Sequence, residues 1–230
     1  MSFEALYEEI VSCRLCPRLV KHRRWAAEHR PRRYSLDTYW AKPLPGFGDP
    51  HARLLVVGLA PAAHGGNRTG RMFTGDSSGN TLMRSLNRAG FASSDRSERV
   101  DDGLVLTDAY LTAVVRCPPP ENKPSKTEIN NCIKYLKAEL QLLRNIKVVV
   151  TLGRIAFQTY LRLVRGEGVL KQPVPEFRHG EVYRLEGMLY GRPLPVLIAS
   201  YHPSRQNTNT GRLTQKMLDQ VFLDARSFVG

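Results

Sequence analysis

No run in this chain approaches the ~18 consecutive apolar residues of a membrane-spanning helix. The N-terminus, MSFEALYEEIVSC, carries acids where a secretory leader carries bases, and it lacks a continuous apolar centre. Membrane and export classes are therefore set aside, and an intracellular protein is expected. Cysteine is scarce, four in 230 residues, and inside a cell such residues read as reduced thiols or ligands rather than disulfides. Acidic residues fall short as well. The 21 Asp and Glu face 34 Lys and Arg, a net charge of +13, and that surplus favours a polyanionic partner. Internal repeats and low-complexity tracts are absent. So are both common nucleotide signatures: the glycine-rich loop GLAPAAHGGNRTGRMFTGD at 58–76 is neither G-x-x-x-x-G-K-[ST] nor G-x-G-x-x-G.

What is present reads as alternating strands and helices over one domain, residues 1–230. Strand candidates are ARLLVVG near 52–58, VLTDAYLTAVV near 105–115, IKVVVTLG near 146–153 and PLPVLIASY near 193–201. Their nearly continuous apolar cores fit parallel strands covered on both faces. Helices fall between them. One is capped by Asp76 or Ser77 and runs to Arg88; a second opens on the capping box Ser125-Lys-Thr-Glu128 and reaches about Leu143. A third spans Gly153 to Val164, and the last runs from about Arg212 to Phe228. The first helix, FEALYEEIV, leads into Cys13. From Arg14 to Arg33, eight Lys and Arg stand against one acid, Glu28, and read as an exposed basic segment. Glu167 to Arg178 reads as an irregular excursion. The expectation is a three-layer α/β/α domain, with ligands at the carboxyl ends of the strands.

Cys13-Arg-Leu-Cys16 forms a C-x-x-C pair. Cys117 and Cys132, with fourteen residues between them, follow some 100 residues later. A close pair plus a distant pair suits zinc or an iron–sulfur centre, and the lopsided spacing leans towards iron–sulfur. In the strand-end loops, His202 precedes a proline in ASYHPSRQNTNTGR, which stiffens it where a ligand would sit. Asn122, in RCPPPENKPS, is ordinary turn chemistry or a functional amide held between prolines. Phe73 is a satellite core residue or a stacking platform, and Asp76 is a catalytic carboxylate or a helix cap.

Three motifs then acquire a common meaning. GLAPAAHGGNRTGRMFTGD, LTAVVRCPPPENKP and SYHPSRQNTNTGRLT resemble, in that order, the iron–sulfur uracil-DNA glycosylases of family five, and the likeness covers nearly the whole chain. The resemblance implies an α/β/α sandwich with a central four-stranded parallel sheet, and a [4Fe-4S] cluster on Cys13, Cys16, Cys117 and Cys132. It implies a monomeric repair enzyme of the prokaryotic cytoplasm, acting at the nucleoid. Its substrate would be DNA containing uracil or deaminated bases, with free base as product. Such an enzyme must rotate the target base out of the stack. By the resemblance, Phe73 stacks on that base, and Gly58, Leu59, Ala60, Pro61, Ala62 and Ala113 wall the pocket. His202 hydrogen-bonds to the base, while Arg68, Arg71, Arg205 and Gln206 meet DNA. The competing reading is a non-catalytic, metal-stabilised nucleic-acid-binding module.

The chain also departs from better-known relatives. Ala60 stands where they carry the water-activating aspartate or asparagine, which leaves Asp76, assisted by Asn122, as the expected catalytic pair. Ala113 replaces an asparagine that reads uracil, and Leu59, Ala60 and Ala62 leave the 5-position of the base unguarded. A site without polar readers cannot reject their absence, so a broad substrate range is expected. No apolar wedge follows His202; Arg205 and Gln206 occupy that region.

Overall fold

The computed structural model describes residues 1–167, 170 and 173–230. Four five-residue strands make the centre: β2 (Leu54–Gly58), β3 (Ala109–Ala113), β4 (Val148–Leu152) and β8 (Val196–Ser200). All four are parallel, and they align in the order β3-β2-β4-β8. The sheet is nevertheless six-stranded and mixed. Two-residue antiparallel strands, β1 (Phe47–Gly48) and β5 (Val182–Tyr183), close its edges, so the four parallel strands expected from sequence are the core of a larger sheet. Short antiparallel edges of this kind blunt the outer backbone of a parallel sheet. A separate hairpin pairs β6 (Met188–Leu189) with β7 (Arg192–Pro193).

The layers follow from strand pleat. Leu54 and Val56 point to one helical layer, where they meet Leu82, Met83 and Leu86 of α4 (Ser77–Arg88) and Leu218, Val221 and Phe222 of α8 (Gln215–Val229). Leu55 and Val57 point the other way, to Leu136 and Leu140 of α5 (Lys126–Leu142) and Phe157, Tyr160 and Leu161 of α6 (Arg154–Gly166). With both faces covered, every residue of β2, β3 and β4 is buried. The apolar runs of the sequence are this arrangement seen in one dimension.

Boundaries behave as their caps dictate. Asp76 accepts from the Gly79 amide and opens α4, and Ser125 and Glu128 complete the capping box of α5. The last helix begins later than expected, at Gln215, because the Thr214 side chain accepts from the Met217 amide and fixes the start there. The basic segment after Cys13 is exposed as expected, with Arg23 its one buried cation, and is largely helical. After α1 (Phe3–Ser12), residues Pro17–Glu28 form a helix, α2, which starts on Pro17 and buries Leu19, Arg23 and Ala26. Two short helices, α3 (Gly66–Thr69) and α7 (Arg205–Asn209), lie inside the loops that follow β2 and β8. The excursion expected over Glu167–Arg178 includes residues 168, 169, 171 and 172, which lie outside the described residues.

Beneath the strand ends lies a buried ion pair. Arg116, just past β3, and Glu139 of α5 are both 0% exposed, and the guanidinium meets the carboxylate through two hydrogen bonds of 2.9 and 2.6 Å. Thr112 donates a third, at 2.7 Å. No helix among the described residues is long and apolar enough to cross a membrane.

Candidate active site and cysteine chamber

In the order β3-β2-β4, consecutive connections leave β2 to opposite sides, so the switch point of the sheet falls at its carboxyl end. The loop 58–76 begins there. Phe73 is its centrepiece. The residue sits at φ +51, a left-handed backbone that a bulky side chain adopts only under constraint. Two glycines supply the constraint. A Cβ on Gly58 would lie 2.5 Å from the tip of the Phe73 ring, and one on Gly79 would lie 2.1 Å from the Phe73 carbonyl oxygen. The ring is half-buried, against a cluster of Leu44, Met72 and Ala113. Ala113 pairs in register with Gly58 across β2 and β3, so three of the expected pocket residues come together. Pro61 is buried beside them in the chain, whereas Leu59, Ala60 and Ala62 are half-buried.

Asp76 has two functions in the geometry. One carboxylate oxygen accepts from the Gly79 amide at 2.9 Å and caps α4. The other faces Gly65, where a Cβ would approach it to 2.2 Å, so the cap leaves half of the carboxylate directed at the loop. Burial raises the Asp76 carboxyl above the usual range, against the Gly79 and Ser78 amides and the charges of Arg205 and Arg68. A carboxylate in this position holds a proton more readily than a solvated one.

His202 enters from β8 on the rigid pair His202-Pro203. Its carbonyl accepts from the Asn207 amide at 2.8 Å, and Ser204 caps α7. Gly153, at φ +96 beyond β4, is the histidine's neighbour: a Cβ there would lie 3.5 Å from the His202 Cβ. Burial pulls its pKa from the ordinary 6.5 down to about 4, so at neutral pH the imidazole is uncharged. The sign of the linkage follows. Between about pH 6.5 and 4 the unfolded chain takes up a proton that the native imidazole refuses. Stability contributed by neutral His202 is therefore complete above pH 6.5 and falls as the pH drops through that window. Chemical denaturation across pH 4–7 should show the slope in the parent and a shallower one in His202→Gln. Equal slopes would assign the acid sensitivity to other groups. Arg205 Nε donates to Ser77 Oγ at 3.1 Å, which draws the His202 loop and the Asp76 cap to the same end of the sheet. Gln206 is exposed on α7. Asn122 stands apart in character: it is exposed, at φ +57 beside Glu121 at φ +54.

The model of the uracil DNA glycosylase superfamily matches residues 45–226. The chain belongs to the uracil-DNA glycosylase superfamily. It is 49% identical over 232 residues to the type-5 uracil-DNA glycosylase of Thermus thermophilus, covering 100% of both chains. It is 44% identical to that of Mycobacterium leprae, over 100% of this chain and 96% of the relative. The type-5 uracil-DNA glycosylase of Pyrobaculum aerophilum is 41% identical, over 99% and 94%.

Two residues expected on DNA in such a glycosylase are committed elsewhere. Arg71 is 6% exposed; it meets Asp102 at 2.7 Å and donates to Thr74 and Ser97. Arg68 donates to Asp37, to the Gly75 carbonyl and to the His64 carbonyl, and lies over the Tyr34 ring. These internal bonds make both arginines part of the framework that shapes the loop. Sequence reasoning also missed His64, whose Nδ1 lies 3.0 Å from the Tyr39 hydroxyl. It missed His179 too, which accepts from the Tyr201 amide and stacks on that ring at 4.8 Å. Both partnerships join distant segments, and no local pattern announces them.

The four cysteines of this glycosylase line one chamber with Arg23, Arg116 and Tyr135. Two of the sulfurs face a donor. Arg23 Nη1 donates to Cys117 Sγ at 3.0 Å, and Asn131 Nδ2 to Cys16 Sγ at 3.5 Å. Burial pushes the Cys117 thiol up to about 12 and Cys132 to about 11. Donors aimed at sulfurs that burial keeps uncharged suit thiolates made anionic by a bound metal centre.

Proposed function

We propose that the protein excises uracil from DNA, together with deaminated purines and 5-substituted uracils, by hydrolysing the N-glycosidic bond. The observation that carries this reading is Phe73: a half-buried ring on a left-handed backbone, its tip against Gly58 and its carbonyl against Gly79, three residues before the Asp76 carboxylate. A flipped base requires such a fixed stacking surface beside a group that can manage water. Family membership and the type-5 names of the relatives support the uracil assignment.

In the proposed reaction the bond between C1′ and the base nitrogen breaks, and its electron pair leaves on the base. Neutral His202 donates an N–H to the base oxygen on which that charge develops, a preorganised donor that does not itself lose a proton. Water adds its oxygen to C1′, and Asp76 accepts the proton the water gives up. The raised carboxyl of Asp76 suits that transfer. Asn122 assists by orienting the water or the flanking strand. The products are an abasic site and the free base. Breadth of substrate rests on Ala113 and on the small residues at 59–62: Ala113 is 1% exposed under Leu44 and Met72 and offers no polar edge to a base. Incubation with duplexes that each contain a single uracil, 5-substituted uracil or deaminated purine tests the reading, scored as alkali-labile sites. Cleavage at none of them refutes it; cleavage at uracil alone refutes the broad range.

Cys13, Cys16, Cys117 and Cys132 would hold a [4Fe-4S] cluster. The lopsided spacing, a close C-x-x-C pair and a distant pair, leans towards an iron–sulfur centre over zinc. The cluster would supply a redox-capable cross-link between the N-terminal segment and the loops after β3, and the hydrolysis is routed through none of it. Replacing any one of the four cysteines by alanine should remove iron and the brown colour and lower the melting temperature. Zinc, or full iron content in all four variants, would refute the assignment. The protein is proposed to work as a monomer in the prokaryotic cytoplasm.

A further inference from the structure

The helix that sequence reading took for an exposed basic stretch presents a built surface. Along one side of α2 runs a groove of Arg14, Lys21, Arg24 and Trp25, floored by Pro17 and Val20. The three cations are exposed, and Trp25 is 48% exposed, high for so large a ring. Glu28 is the single acid on this groove. Trp25 is held rather than mobile, because it lies parallel between two histidines. His29 stacks on it at 4.8 Å and 17°, and His22 at 5.9 Å and 15°.

The surface adjoins the pocket loop. Asn67 donates to the Arg23 carbonyl at 3.1 Å. α2 is thus fastened to the loop that carries Phe73, with its cationic side turned outwards. A row of cations beside a fixed aromatic ring is the chemistry of a nucleic-acid track: charges for phosphates, and a flat ring for a sugar or base. None of the motif residues assigned to DNA lies on it, and two of those, Arg68 and Arg71, are paired with Asp37 and Asp102.

The geometry points to α2 as a second DNA contact, with Lys21, Arg24 and Arg14 meeting backbone phosphates of the duplex to one side of the flipped nucleotide and Trp25 packing on that strand. The inference rests on the DNA-glycosylase reading for its substrate, but its test is separate. Affinity is measured by fluorescence anisotropy, across a salt series, on uracil-containing duplexes extended to one side of the lesion or the other. Lys21→Gln combined with Arg24→Gln should flatten the slope of log affinity against log salt by about 1.8, twice the roughly 0.9 of one phosphate contact. Trp25→Ala should weaken binding about tenfold and leave the slope unchanged. Both losses should appear on one extension only and vanish on a duplex that ends at the lesion. Base release at saturating DNA and the melting temperature should match the parent, since these side chains are exposed. Unchanged slope and affinity in all variants would overturn the proposal, and so would equal losses on either extension. If the parent binds duplex but releases no base, the glycosylase reading falls while α2 is still judged on binding.

Discussion

Asp76→Asn is expected to slow single-turnover base release by roughly 10²–10⁴, the scale of a positioned acid–base group. The substitution is informative because the carboxylate does two things at once. One oxygen caps α4 through the Gly79 amide, and the other faces the loop at Gly65. Asparagine caps a helix about as well as aspartate does, so melting temperature and duplex affinity should hold while the chemical step fails. Asp76→Ala removes both functions and should lower stability by about 1 kcal/mol as well. The comparison with His202→Ala sharpens the assignment. Loss of a donor to the leaving base should cost on the order of 10²–10³, without the dependence on water activation. If Asp76→Asn releases base at the parental rate, the water is positioned elsewhere, and Asn122 becomes the first residue to replace.

Glu139→Ala should be the most destabilising single change in the sheet-to-helix packing. It leaves Arg116 charged, 0% exposed and without its two hydrogen bonds, and breaking a buried pair in this way costs roughly 3–5 kcal/mol. In a domain of this size each kcal/mol moves the melting temperature by about 2–4 °C. The double change Arg116→Met with Glu139→Leu should recover much of the loss, because apolar residues of similar volume often replace a buried pair at little cost. A drop below 1 kcal/mol for Glu139→Ala would mean that water reaches the stranded guanidinium.

How much of this was legible in the chain follows from whether the causes are local. The four parallel strands stood out as apolar runs because both faces are covered, and Asp76, Ser125 and Glu128 announced helix starts through side chains that act within three residues. The two edge strands were invisible, since a pair such as Phe47–Gly48 has no pattern to show. Helix α2 was hidden by its charge: only Leu19, Arg23 and Ala26 are buried, and one of these is an arginine whose partner is a cysteine 94 residues away. The same non-local cause hid the internal partners of Arg68 and Arg71: Asp37 and Asp102 each stand 31 residues away in the chain. Phe73, Asp76 and His202 could be singled out because motif and chemistry agreed, whereas the strain at Phe73 is a property of backbone alone.

The superfamily match begins at residue 45, yet the pocket loop is fastened to what lies before it. Asn67 holds the Arg23 carbonyl, and the amides of Trp40 and Ala41 donate to the carbonyls of Arg68 and Asn67. Tyr39 meets His64, and Asp37 meets Arg68. The N-terminal stretch is therefore scaffolding for the pocket and not an appendage to the sheet. Loop and leading segment form one mechanical unit. A chimera that takes its loop from one parent and its leading helices from another should keep the sheet and lose the seams that shape the pocket.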